Sequence, residues 1–235
     1  MNDSKKSEQM VRLQDVVKTY RQGKVDVHAV NGISLEIGNG DFAALCGPSG
    51  SGKTTVLNMI GGLDVPTSGT VWVDNIDLST LDNTELSEMR KSHIGFVFQA
   101  YNLIPVMTAY ENAEFVMNLQ GISENECRER VMATLKAVGL EGLEHRRPDE
   151  MSGGQQQRVA IARAIVTNPA IVLADEPTAN VDSHTAESLL DLMQKLNQEE
   201  GITFLFSTHD QHVMDRARRL ITIHDGKIES DETLS

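Results

Sequence analysis

Gly47-Pro48-Ser49-Gly50-Ser51-Gly52-Lys53-Thr54 meets every fixed position of G-x-x-x-x-G-K-[ST], the pattern that cradles the phosphates of a nucleoside triphosphate. Each residue type has a chemical reason. The glycines let the backbone turn tightly and aim N–H groups inward, and the helix that follows offers its positive dipole end to a phosphate. Lys53 is placed to bridge the β- and γ-phosphates, and the Thr54 hydroxyl, with Thr55 beside it, to ligate Mg²⁺. A second run, Ile171-Val172-Leu173-Ala174-Asp175-Glu176, ends an apolar strand in two carboxylates, at the carboxyl edge where open α/β sheets bind ligands. Beside a phosphate loop, Asp175 suits the outer partner of Mg²⁺ and Glu176 the group that orients or deprotonates an attacking water. The plain alternative is that both only open the turn at Pro177. A third motif, Met151-Ser152-Gly153-Gly154-Gln155, satisfies the S-x-x-Q cap of a helix running to about Ile165. Its two glycines also leave bare amides suited to an anion such as a γ-phosphate, so cap and anion site both stand open.

These groups need elements to hold them. The apolar run at 42–46 predicts a buried parallel strand entering the loop, and 54–60 a helix leaving it. Partial alternation over 11–20 and 32–37 predicts strands with one buried face, joined through the polar turn Arg21-Gln22-Gly23-Lys24. Pro66-Thr67-Ser68-Gly69 turns into a strand at 70–73 that Asp74-Asn75 ends, and another strand follows at 94–98. Beyond Gln99 the pattern turns helical. Thr108 with Glu111 and Ser123 with Glu126 read as capping boxes, and Gly121 and Gly139 as helix stops. Cys127, Val131, Leu135 and Val138 recur every three or four residues, as the inward stripe of a helix does. Strands return at 171–174 and 203–206, on either side of a helix from Ser183 to about Gln198 that Gly201 ends. The chain closes with a strand at 220–223, an Asp225-Gly226 hairpin turn and a short acidic tail. Alternating strands and helices imply the α/β class with a mainly parallel sheet, an antiparallel β edge at the N-terminus and a helical insert at 100–168.

Composition narrows the function. Among 235 residues, 34 are acidic and 21 basic, a formal charge of −13 that opposes polynucleotide as the main substrate. The two cysteines, Cys46 in the apolar strand and Cys127 on the helical stripe, suit packed thiols in a reducing compartment. The longest apolar runs are of strand length, and the start MNDSKKSEQM has no signal-peptide core. The expected place is the cytosol, or a membrane to which a partner holds the chain.

Taken in order, GPSGSGKT, Gln99 after a strand, MSGGQ, IVLADE and His209 after a strand resemble the ATP-binding subunit of the ABC transporter family, over about residues 10–229. The resemblance implies a P-loop NTPase core at 10–99 and 169–235 and a helical subdomain at 100–168 carrying MSGGQ, all within one domain over 1–235. It implies that Ser152, Gly153, Gly154 and Gln155 contact the ATP held by the loop of a second copy, so that two chains sandwich two nucleotides. It further implies that Tyr20 stacks on adenine, Gln99 touches Mg²⁺ or its water and senses a transmembrane permease, His209 contacts the γ-phosphate, and Asp182 lines the dimer interface. Met151 and Val181 stand where the family usually carries Leu, and both remain apolar.

Finer resemblance, in GGLDVPTSG at 61–69 and GFVFQAYNLIPVMTAYENA at 95–113, is to the lipoprotein-release and macrolide-efflux branch, the LolD- and MacB-like proteins. It implies an active Mg-ATP hydrolase at the cytoplasmic face of a bacterial inner membrane, reaching the membrane only through its permease. An FtsE-like regulatory role on a division or envelope partner is the alternative within that branch. The segment 100–105, with Tyr101, Leu103 and Ile104 as apolar anchors, is the expected groove for the permease, or else part of the subdomain core.

Overall fold

The computed structural model describes residues 9–23 and 25–234; the polar start at 1–8, Lys24 of the expected turn and Ser235 lie outside the described residues. Two long antiparallel strands, β1 (Gln9–Gln22) and β2 (Val25–Gly38), extend the expected pair at both ends. Between them and the next antiparallel strand the chain crosses the molecule as β3 (Phe42–Cys46) and α1 (Lys53–Ile60). It then returns as β4 (Ser68–Val73) and β5 (Ile76–Asp77), giving a four-stranded sheet of order β2-β1-β4-β5. Asp74 and Asn75, at φ 47° and 65°, make the left-handed turn of the β4–β5 hairpin.

Helix α2 (Asn83–His93) was not expected. Its sequence is polar, with only Leu86 and Met89 buried, yet Asp82 and Glu85 form a reciprocal capping box at its start. After β6 (Ile94–Phe98) come α3 (Ala109–Leu119), α4 (Glu124–Ala137) and α5 (Gly153–Ile165). Thr108 and Glu111 make the expected box at α3. At α4 the expected box is only half formed. Ser123 accepts from Glu126 N, but the Glu126 carboxylate turns to Arg130, one turn on, at 2.5 Å. Gly121 and Gly139 stop α3 and α4 as expected, at φ 72° and 76°.

The remaining elements are β7 (Ile171–Asp175), α6 (Ser183–Glu200), β8 (Thr203–Ser207), α7 (Gln211–Arg216), β9 (Arg219–His224) and β10 (Lys227–Thr233). The expected acidic tail is therefore β10, an edge strand. Ile228 packs against the core, and Asp231 accepts two bonds from Arg219 of β9. The second sheet runs β10-β9-β3-β8-β7-β6 and is parallel except for the β9–β10 pair.

β3 shows why the parallel strands read as unbroken apolar runs. Phe42 and Ala44 enter one buried cluster while Ala43 and Leu45 enter another, so neither face of the strand meets solvent. The first cluster joins that face to α3, α4, α5 and α6; the second joins the opposite face to α1 and the antiparallel sheet. The α4 stripe, Cys127, Val131, Leu135 and Val138, lies wholly in the first cluster. Leu135 is fully buried there, and cutting it to Ala would cost about 2–5 kcal/mol. Both cysteines are free and buried, and burial raises the Cys127 thiol above its ordinary pKa. Among the described residues no helix is long and apolar enough to cross a membrane.

Candidate functional site

Register in the parallel sheet sets out the site. Phe98, Asp175 and Ser207 are lateral partners at the carboxyl ends of β6, β7 and β8. Gln99, Glu176 and Thr208-His209 therefore emerge side by side, one step beyond the sheet. The loop after β3 folds over the same edge, and the resulting cleft of about 520 Å³ is lined by Ala29, Pro48, Ser49, Gly50, Gly52, Lys53, Thr54, Thr55, Gln99, Asp175, Glu176 and His209.

The loop geometry demands its glycines. Gly47 and Gly52 sit at φ 138° and 107°, and a Cβ on either would lie 2.1 Å from Ile223 O or 2.4 Å from Ala29 O. Lys53 is buried, and its Nζ donates to Gly47 O at 2.7 Å and Pro48 O at 2.9 Å, so the ammonium is held inside the arch. The Ser51 hydroxyl is buried and has no hydrogen-bond partner among the described residues. Across the cleft Thr54 Oγ1 donates to Asp175 Oδ1 at 3.2 Å. Glu176 is left-handed at φ 46°, with its amide donating to Ser207 O at 2.8 Å. Its Oε1 lies 2.6 Å from His209 Nδ1 and its Oε2 accepts from Thr208 Oγ1 at 3.2 Å.

Tyr20 stands next to the cleft rather than in its lining. Its hydroxyl donates to Asp64 Oδ2 at 2.5 Å, and Lys18 Nζ lies 4.9 Å from the ring centroid. Burial, reinforced by the bond to Asp64, raises the phenol pKa. Burial of Asp64 works the other way, but its bonds from Lys18, Tyr20 and the Val65 amide still hold that carboxyl below its ordinary value. Asp64 and Ala29 were not singled out in the sequence. An alanine in an alternating strand carries no chemical signal, and Asp64 is recognisable only once β1 and the turn after α1 are side by side.

Ser152, Gly153, Gly154 and Gln155 do not line the cleft. Ser152 Oγ accepts from Gln155 N at 3.3 Å while Gln155 Oε1 accepts from Ser152 N at 2.9 Å, a closed capping box. The two glycines have a packing reason besides. A Cβ on Gly154 would lie 2.4 Å from Thr185 Cγ2, and one on Gly153 2.8 Å from the Tyr101 hydroxyl. Asp182 caps α6, accepting from Thr185 N at 3.0 Å and Thr185 Oγ1 at 2.6 Å, and these bonds lower its pKa.

In the segment 100–105 the three apolar residues are half-buried, and the side chains of two of them have partners within the chain. Tyr101 bonds to Asn180 O, Leu103 packs against the helical cluster, and Asn112 binds Ile104 through both N and O, at 2.8 and 3.2 Å. A separate apolar groove of about 390 Å³ lies between α2, β6, α3 and α5, with Phe96, Phe98, Phe115 and Leu119 on its walls and Asn102 at its rim.

The sequence profile of ABC transporters matches residues 30–179. The chain belongs to the ABC transporter family. It is 47% identical over 229 residues to an uncharacterized ABC transporter ATP-binding protein, MJ0796, of Methanocaldococcus jannaschii, covering 96% of this chain and 97% of that one. A lipoprotein-releasing system ATP-binding protein LolD of Anaeromyxobacter dehalogenans is 46% identical over 94% of this chain and 93% of its own length. A macrolide export ATP-binding/permease protein MacB of Syntrophobacter fumaroxidans is 48% identical over 94% of this chain, which spans 31% of that protein. The solved dimer of MJ0796 in a post-hydrolysis state, bound to ADP and Pi, superposes with a TM-score of 0.89 at 46% identity, over 96% of this chain and 99% of that one. The fold is thus that of the ABC ATPase cassettes, and the chain is an ABC-type ATPase whose cofactors are ATP and Mg²⁺. The cleft fits both. Its glycine loop and Lys53, which line it, suit phosphates, and Thr54 with Asp175 offers the hard oxygens that Mg²⁺ takes one or two at a time.

Proposed function

We propose that this chain is the ATP-hydrolysing subunit of a membrane transporter, working as two identical copies that close on two Mg-ATP and drive a transmembrane permease. The observation that carries the reading is the separation of two half-sites within one chain. The cleft lies on the carboxyl edge of the parallel sheet, whereas Ser152, Gly153, Gly154 and Gln155 cap α5 outside it. A second copy, face to face with the first, brings one half to the other, with Asp182 at the seam. The dimer of MJ0796 supports this pairing.

ATP supplies the phosphoanhydride bond that breaks, and Mg²⁺ neutralises its phosphates. Within the chain, the backbone N–H groups of 49–55 and Lys53 hold the phosphates, Thr54 and Asp175 hold the ion with Gln99 beside them, and Tyr20 offers a face to the adenine. Glu176 orients the attacking water and takes its proton, while His209 fixes the carboxylate and faces the γ-phosphate. On this reading 10–99 and 169–235 make the P-loop core and 100–168 the helical subdomain.

The groove walled by Phe96, Phe98, Phe115 and Leu119 receives the permease, through which alone the chain meets the cytoplasmic face of the bacterial inner membrane. The LolD and MacB relatives favour lipoprotein release or macrolide efflux as the work done, peptide-type substrates belong to the same reading, and the acidic balance disfavours nucleic acid. In size-exclusion chromatography with Mg-ATP, Glu176→Gln should run as a dimer and Glu176→Gln with Ser152→Arg as a monomer. A Glu176→Gln protein that stays monomeric would sink the pairing. Identifying the permease that co-purifies would choose among the cargoes.

A further inference from the structure

Four parts of the molecule meet at Tyr101. Its backbone is left-handed, as is that of Asn102, at φ 60° and 49°, a region that bulky side chains rarely populate unless their surroundings impose it. Arg163 of α5 imposes it here. Its two terminal nitrogens donate to Asn102 O at 2.6 Å and Tyr101 O at 2.9 Å. The phenol hydroxyl donates to Asn180 O at 2.9 Å, and Asn180 Nδ2 donates to Gln99 O at 2.9 Å. Those two bonds tie the segment after Gln99 to the segment after Glu176 in both directions. The same hydroxyl occupies the space that a side chain at Gly153, the first residue of α5, would need.

We propose that Tyr101 is a positioning residue for ATP hydrolysis, a latch whose one hydroxyl fixes the Gln99 segment, the 180–182 segment and the first turn of α5 relative to one another. Gln99 and Glu176 both line the nucleotide cleft, so a shift of either segment moves a group that faces the reacting phosphate. Asp182, two residues beyond Asn180, caps α6, and Ser152, one residue before Gly153, caps α5. Through Tyr101, a displacement on the permease side at Asn102, which rims the apolar groove, is passed to all three segments. A phenol suits the task. Its ring gives rigid reach at low entropic cost, and its hydroxyl a single directional bond.

The inference rests on the ATPase reading, and its test separates the two. Tyr101→Phe keeps the ring and removes one oxygen. In steady-state assays of the full chain its kcat should fall about three- to tenfold, the scale of one net hydrogen bond. KM for ATP should be unchanged, and the melting temperature should stay within about 2 °C of the parent's. Backbone hydrogen exchange should quicken over 178–182 and not in α4. Asn180→Ala, which removes the return bond to Gln99, should show the same split between kcat and KM. The latch is overturned by parental kcat in Tyr101→Phe, by a kcat loss that comes with raised KM or a melting drop of several degrees, or by unchanged exchange over 178–182. A parent chain without ATPase activity would instead count against the ATPase reading, and the exchange measurement would still decide the fate of the latch.

Discussion

His209 Nδ1 lies 2.6 Å from Glu176 Oε1, and the other oxygen of that carboxylate accepts a bond from Thr208 Oγ1. Two consecutive residues of one loop therefore hold both oxygens of the group assigned to the water. Glu176→Gln keeps the shape but cannot take a proton, and should lower kcat by about 10²- to 10⁴-fold. Calorimetry should find ATP affinity unchanged. A loss of affinity equal to the loss of kcat would move Glu176 from proton transfer to binding.

Lys53 is the buried cation of the loop, held by two carbonyls. Charge-assisted bonds to phosphate are worth about 1.5–3 kcal/mol, so Lys53→Ala should weaken ATP binding by about 10- to 100-fold. Parental affinity in a titration would remove the lysine from this role.

The glycine at 154 is accounted for by packing as well as by any nucleotide. Gly154→Ala presses its new methyl on Thr185 Cγ2, which should cost about 1–3 kcal/mol and lower the melting temperature by several degrees. Adding Thr185→Ser removes that methyl and keeps the hydroxyl that bonds Asp182, so it should restore most of the loss. Failure of the rescue, read by thermal denaturation, would show that the clash is not with Thr185.

Arg219 grips Asp231 through Nε and Nη2 at 2.8 and 2.7 Å, and this bond lowers the Asp231 pKa although burial opposes it. A carboxyl depressed by folding stabilises the native state above its unfolded pKa, and that contribution fades as pH falls from the ordinary aspartate value of 3.8 towards the lower folded value. Asp231→Asn should thus cost up to about 1 kcal/mol at pH 7, the scale of a solvent-screened pair, and nothing measurable at the lowest pH. A variant equally destabilised in urea at pH 7 and at pH 2.5 would refute the linkage.

What could be read in the chain follows from what each element buries. β3, β7 and β8 are apolar on both faces, so their runs and the loops they launch were legible without neighbours. α2 was not, since two buried residues make no stripe, although the D-N-T-E cap was there to be seen. The edge strand β10 looked like a tail because its partner lies across the hairpin and its outer positions are charged. Lys53, Asp175, Glu176, Gln99 and His209 converge on the cleft that the motifs implied. Tyr101 is the instructive exception. It read as an apolar anchor for a permease or as subdomain core, and the partners that hold its backbone and hydroxyl, Arg163 and Asn180, lie far along the chain.

Cys46 and Cys127 lie beneath the surface, one in the central strand and one against the helices. Reagents do not reach thiols packed in this way, so maleimide dyes and spin labels should leave both untouched. New cysteines could then be planted at 152 and 49 in an otherwise parental background, and the approach of two molecules followed by fluorescence or by disulfide trapping without first stripping out the native sulfur.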